Sequence, residues 1–183
     1  MVRVERFEGP AEQAEAITEQ MLREYLEWCG ERLTADHGVE FDDTDAAVAA
    51  HHHEFTRELP QLLGPRGRLL IAWADDEVVG VGALKPVDSS VAEIKRMYVR
   101  PDARGQGLGR AILERLLADA RTIGYQVARL ETATFMREAH ALYRSLGFQD
   151  RPIFDNTEAG LSGLDSFMLF MELRLDQSVT SKT

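Results

Sequence analysis

Arg104-Gly105-Gln106-Gly107-Leu108-Gly109-Arg110-Ala111-Ile112 places three glycines at alternate positions just ahead of an apolar helical pattern. Leu108, Ala111, Ile112, Leu116, Ala120 and Ile123 recur every three or four residues, and Gly124 follows them. This spacing predicts a helix from Leu108 to Ile123 with a glycine stop. Upstream, Ala92–Val99 (AEIKRMYV) reads as a strand halted by Pro101. The glycine run is therefore a strand-to-helix turn. The first turn of a helix leaves backbone N–H groups without intrahelical acceptors, backed by the positive end of the helix dipole. Glycines keep side chains clear of those donors, and Arg104 and Arg110 add charge suited to a pyrophosphate. The stretch predicts a phosphate cradle, with a tight turn lacking any ligand as the alternative. The glycine spacing differs from the dinucleotide G-x-G-x-x-G, and the lysine and Ser/Thr of a nucleotide P-loop are absent.

Outward from this turn, the chain reads as alternating elements. Ala14, Ile17, Met21, Tyr25, Cys29 and Leu33 give a helical period from Ala11 to about Leu33. Thr44 or Asp45 is a cap for a second helix ending near Leu59, before Pro60. RLLIAWA and VVGVGAL read as a strand hairpin turning at Asp75–Glu77. After the glycine-led helix come a strand (QVARLET), a short helix (MREAHALYRSL) ended by Gly147, a strand beginning GFQ, and a last strand (SFMLFMELRL). This order predicts an α/β (α+β) domain, a central sheet flanked by helices. Residues 1–183 are read as a single domain: helices over 1–62, a sheet core over 63–175 and a tail over 176–183. The stretch Asp150–Asp165 is turn-rich and aperiodic, and a loop this long in a compact domain is often functional.

The 183 residues carry a net charge of -10. That argues against nucleic acid, whose phosphates need a basic face. It suits a cationic small substrate, although acidity also simply favours solubility. No run is apolar enough to span a bilayer, and the N-terminal residues lack the apolar core of an export signal. The single cysteine, Cys29, cannot form an internal disulfide. The expectation is a cytoplasmic protein, with no membrane partner.

These residues resemble a known family. Arg104 to Gly109 matches the R/Q-x-x-G-x-G/A signature of the GNAT superfamily of N-acetyltransferases. KRMYVRPDARGQGLG resembles its strand–loop–helix for acetyl-CoA, and AHALYRSLGF its second signature, a tyrosine-bearing helix followed by Gly-Phe. The resemblance runs from about Arg68 to Leu175 and is weaker in the first 60 residues. It implies a mixed, mostly antiparallel sheet, splayed open beside the glycine loop. It implies that acetyl-CoA binds along Met97, Tyr98 and Val99, with its pyrophosphate on Arg104, Gly105, Gln106, Gly107, Leu108, Gly109 and Arg110. Many members carry an asparagine seven residues before the tyrosine. This chain has Met136 there, which weakens one cofactor contact.

The implied reaction is acetyl transfer to a primary amine of a small molecule, directly within a ternary complex. A protein amine is the alternative acceptor, and a catalytically silent acyl-CoA sensor or protein-partner module is the alternative function. A free alkylamine has a pKa of about 10.4, so only about one molecule in 10³ is neutral at pH 7 and a base helps. Glu93, on the strand entering the glycine loop, is the candidate base; its other reading is a surface carboxylate paired with Lys95. The resemblance makes Tyr143 the acid that protonates the coenzyme A thiolate, or the group that orients the thioester. Its other reading is a core aromatic with its hydroxyl at the rim. Tyr25, Trp28, Phe154 and Asp155 are candidate acceptor-pocket residues. No metal is expected: His51, His52 and His53 are neighbours on a helix and point to different faces, which reads as a solvated helix face. Asp42, Asp43, Asp45, Asp75 and Asp76 read chiefly as turn residues. Cys29 reads as a buried inert thiol, and the assembly as a monomer or homodimer.

Overall fold

The expected hairpin organises the sheet. Numbering strands along the chain, β2 (Arg68–Ala74) and β3 (Glu77–Pro86) pair antiparallel around a two-residue turn in which Asp75 takes a left-handed φ of 53°. The computed structural model describes residues 2–39, 43–155, 157 and 164–175. Its seven strands form one sheet in the order β1-β2-β3-β4-β5-β7-β6. The others are β1 (Val2–Arg6), β4 (Val91–Val99), β5 (Val127–Ala133), β6 (Gln149–Arg151) and β7 (Met168–Arg174). Every pairing is antiparallel except β4 with β5. The mixed α/β sheet expected from the sequence is the architecture present. Asp42, residues 156 and 158–163 of the long loop and the tail 176–183 lie outside the described residues.

Helices cover both faces. α1 (Ala11–His37) and α2 (Thr44–Leu62) lie on one, α3 (Leu108–Ile123) on the other, and α4 (Arg137–Ser145) follows β5. The period-two alternation of the strands sorts the core. Leu70 and Ala72 of β2 pack with Ile112, Leu113 and Leu116 of α3, while Leu69 and Ile71 pack with Met21, Leu22, Phe55 and Leu59 of α1 and α2. A side chain at Gly82 of β3 would overlap Ile112 and Met97, so α3 approaches the sheet most closely there.

Three boundaries differ from the sequence reading. Residues 1–62 hold a strand as well as helices: β1 is an edge strand, half exposed, and its Val2/Val4 alternation is too short to carry a period. α1 continues one turn past Leu33 to a left-handed Gly38 cap. α2 is capped by Asp43, whose carboxylate accepts from the Ala46 N–H at 2.9 Å, and it runs through Pro60 to Leu62. Proline removes one backbone bond, but it sits in the last turn, and the buried Leu59 and Leu62 hold that turn against the sheet.

The feature that positions the site is a bulge in β4. Arg96 has a left-handed φ of 57°, and the β3–β4 register shifts between Val81 and Ala83. The extra residue inverts the alternation. Ala92 and Ile94 face α3 before the bulge, and Met97 and Val99 face it after, while Tyr98 turns to α1 and α2. β4 and β5 pair only over Val91–Glu93 and Val127–Arg129, and then diverge.

A strained non-glycine residue needs surroundings that hold it. One face of α2 does so. His51, Phe55 and Glu58, at i, i+4 and i+7, all meet Arg96: its guanidinium bonds the His51 ring, lies 5.8 Å from the Phe55 centroid, and donates to Glu58 at 3.0 Å. Glu58 also accepts from Lys85 and Lys95, at 2.5 and 2.7 Å. Burial opposes ionisation of Glu58, but the nearby charges of Lys95 and Arg96 and the lysine hydrogen bonds hold its carboxyl below the usual range. The histidine run is therefore not a uniformly solvated face. His51 reaches Arg96, and His52 lies 3.6 Å from Glu15.

Candidate active site

Where β4 and β5 part, a cleft of about 650 Å³ opens between the N-terminus of α3, the start of α4 and the middle of α1. β4 contributes Met97, Tyr98 and Val99. The Arg100 N–H donates to Val79 of β3, so by alternation Tyr98 also donates toward β3. The N–H groups of Met97 and Val99 then point the other way, into the gap left by β5. Peptide-like groups of a ligand could pair there as an added strand does.

The glycine loop forms one wall of the cleft. Gly105 and Gly107 have φ values of 77° and 79°, a conformation that favours glycine. Gly107 is the N-cap of α3. A Cβ at either position would meet nothing within 4 Å, so backbone shape, rather than crowding, requires these two glycines. Gly109 has no such strain and lies open in the first helical turn. Arg104 donates from Nε to the Val99 carbonyl at 3.0 Å and spreads its guanidinium over the rings of Trp28 and Tyr98. Arg110 is tied to Ser145 of α4 at 2.7 Å. Gln106 is exposed and does not line the cleft.

Tyr143 is 6% exposed and lines the cleft from α4, its ring packed on Phe148. Burial pushes its hydroxyl up to about 12, so it stays protonated at neutral pH. Neighbouring His140 is buried and bonds through Nε2 to the Ala133 carbonyl, tying α4 to the end of β5. Burial lowers its pKa, and the bond to the Ala133 carbonyl opposes that fall. Met136 lines the cleft at the N-cap of α4, and the Thr132 hydroxyl points at its sulfur at 3.6 Å.

The remaining candidates divide. Tyr25 and Trp28 line the cleft from α1. Phe154 does not: it is buried against Phe170 and lies under Arg129, whose guanidinium is 3.9 Å from its centroid. Asp155 is exposed and also outside the cleft. Glu93 is 5% exposed rather than on the surface, and its carboxylate meets Arg129 at 3.2 Å and Lys95 at 3.8 Å. It is not among the cleft-lining residues. Arg32, Phe135, Arg137, Glu138, Ala139 and Leu142 line the cleft and were missed. Arg32 was within reach, since it extends the Tyr25–Trp28 helix face by four residues. Phe135 and Arg137 face inward because of how β5 ends, which no local pattern encodes. Burial raises the Cys29 thiol to about 12, against a hydrogen bond with Tyr25.

The acetyltransferase (GNAT) family pattern matches residues 32–148. The chain belongs to the GNAT acetyltransferase family. An IAA acetyltransferase of Azospirillum brasilense is 40% identical over 116 residues, which cover 63% of this chain and 72% of that protein. A structure assigned as an acyl-CoA N-acyltransferase from Klebsiella pneumoniae is 28% identical and superposes with a TM-score of 0.66, covering 96% of this chain and 99% of that one. The PaiA N-acetyltransferase of Thermoplasma acidophilum, solved with coenzyme A, has a TM-score of 0.70 at 17% identity, over 94% of this chain and 99% of that one. That likeness is one of fold. The GNAT chain described here is an N-acetyltransferase, and among its described residues no helix is long and apolar enough to cross a membrane.

Proposed function

We propose that this GNAT enzyme moves an acetyl group from acetyl-CoA to the primary amine of a small molecule, directly in a ternary complex. The observation that carries the reading is the convergence on one cleft of the α3 N-terminus, the open N–H groups of β4 and the Tyr143 hydroxyl. The cleft residues fit acetyl-CoA. Gly105 to Arg110 would hold its pyrophosphate through first-turn N–H groups and Arg104 and Arg110. Met97 and Val99 would pair with its pantetheine amides. Bound there, acetyl-CoA supplies the activated acyl group.

Tyr143 keeps its proton on the hydroxyl oxygen and can donate it to a departing thiolate. Trp28 and Tyr25 exclude water from the α1 side. Cys29, held neutral by burial, is a poor nucleophile, which favours direct transfer over an acetylated enzyme. Glu93 is held by Arg129 and Lys95, and that geometry favours an ion-pair role over that of the base.

The deciding experiment is a calorimetric titration with acetyl-CoA, with NAD as the control ligand, followed by thiol release in the presence of amines. Binding of acetyl-CoA alone and amine-dependent thiol release are expected. Binding without release would favour a silent acyl-CoA sensor, and binding of neither ligand would remove the cradle reading.

A further inference from the structure

Beside the cleft, a second cavity of about 530 Å³ is lined by Arg32, Asp36, His37, Thr134, Phe135 and Arg137. It lies between the last turns of α1, the end of β5 and the start of β7, because His37 stacks on Phe167 at 4.8 Å and the Thr134 N–H donates to the Phe167 carbonyl. Arg32, Phe135 and Arg137 line both spaces, so the two communicate.

In a chain of net charge -10, this alcove is basic. The one acid among its described lining residues, Asp36, is engaged by Arg32 at 2.5 Å. Arg137 stands exposed at the first position of α4, its own N–H donating to the Phe135 carbonyl at 2.9 Å. The Thr134 hydroxyl adds a polar group 3.5 Å from the His37 Nε2. Phe135 supplies an apolar wall beneath Arg32, 6.0 Å from its guanidinium. A polycation entering here would meet Arg32 and Arg137, whereas a carboxylate would meet the planar fork of Arg137 and, beside it, the part of the Arg32 guanidinium that Asp36 leaves.

We infer that the alcove binds a carboxylate of the acetyl acceptor, so that the acceptor is an amino acid-like amine rather than a polyamine. The inference rests on the acetyl-CoA reading of the main cleft. The carboxylate is held by Arg137, Arg32 and Thr134 while the amine reaches the cleft past Phe135. The bulk acidity of the chain, which suits a cationic amine, is reversed locally at the acceptor site.

The test compares a panel of L-amino acids with their carboxamides and with spermidine, using acetyl-CoA-dependent thiol release. N-acetyl amino acids and their amides are also titrated calorimetrically against enzyme saturated with coenzyme A. Acids are expected to exceed their amides in kcat/KM by roughly tenfold or more, as for loss of a charged hydrogen bond. N-acetyl acids should bind more tightly than their amides by a similar factor. Thr134→Glu should reverse both preferences, and Arg137→Gln should raise KM for acids more than for amides. Retained melting temperature and acetyl-CoA binding show that the Thr134 variant is folded. Equal use of acids and amides, preference for spermidine, or turnover of none of the acids overturns the inference.

Coenzyme A itself carries a 3′-phosphate, a second source of negative charge. Weakened binding of coenzyme A but not of dephospho-coenzyme A by Arg137→Gln, with acids and amides affected alike, also overturns it. Loss of acetyl-CoA binding by the unaltered protein would instead sink the proposed function.

Discussion

Trp28 of α1 meets Phe135, two residues beyond β5, edge to face, with ring centroids 5.4 Å apart and planes at 82°. The pair bridges the divergence of β4 and β5 on the α1 side, and Arg104 from the glycine loop lies over the same indole. Edge-to-face pairs contribute about 0.5–1.5 kcal/mol beyond the area they bury. A double-mutant cycle of Trp28→Ala and Phe135→Ala should return a coupling of that size in the free energy of unfolding. Additive effects would mean that the two rings act separately.

Gly109 allows the proposed phosphate cradle to be tested apart from backbone strain. Gly105 and Gly107 have left-handed φ values, so substitutions there would distort the loop. Gly109 accepts a Cβ with only an ordinary contact to Leu142, at 3.7 Å. Gly109→Glu should therefore keep its melting temperature and bind acetyl-CoA roughly 100-fold more weakly, because a carboxylate would face the N–H groups offered to phosphate. Unchanged affinity by calorimetry would exclude phosphate from this turn.

Tyr143→Phe should lower kcat by roughly 10²-fold while barely changing the acetyl-CoA Kd, as expected for loss of a proton donor. Equal turnover would return Tyr143 to the core. The hydroxyl also makes an alkaline prediction. Its folded value of about 12 lies above the usual value near 10, so its contribution is intact below pH 10 and is lost as pH rises toward 12. Chemical denaturation from pH 9 to 11.5 should show falling stability, with a shallower fall in the phenylalanine variant.

Glu58 holds three cations and, through Arg96, the β4 bulge. Breaking a buried pair on one side leaves uncompensated charge, at about 3–5 kcal/mol. Glu58→Gln should lower the melting temperature by on the order of 10 °C. The carboxyl titrates below its ordinary value, so the stabilisation is present above the unfolded carboxyl pKa and disappears as pH falls through the folded one. The glutamine variant should lack that part of the acid-induced loss.

Glu93→Gln distinguishes the two roles of the β4 carboxylate. Its contacts with Arg129 and Lys95 predict lowered thermal stability with turnover per folded molecule retained. Loss of kcat at unchanged stability, with a shifted pH–rate profile, would make it the base.

The sequence by itself determined the elements whose signals are local. The helix from Leu108 to Ile123 and the strand from Arg68 to Ala74 fall where period and punctuation place them. The glycine loop and Tyr143 were legible because a left-handed turn demands glycine, and because the second motif fixes the tyrosine on one helix face. Tertiary structure alone decided the rest. Arg96 looks like any strand residue, yet α2 holds it in a left-handed conformation that inverts the facing of β4 ahead of the cleft-lining Met97 and Val99. Glu93 and Phe154 were drawn away from the cleft by Arg129, a partner 36 residues from Glu93 in sequence. Arg32, Phe135 and Arg137 meet only because α1 crosses the end of β5. Long-range packing and charge pairing have no period along the chain, so these relationships exist only once the chain has folded.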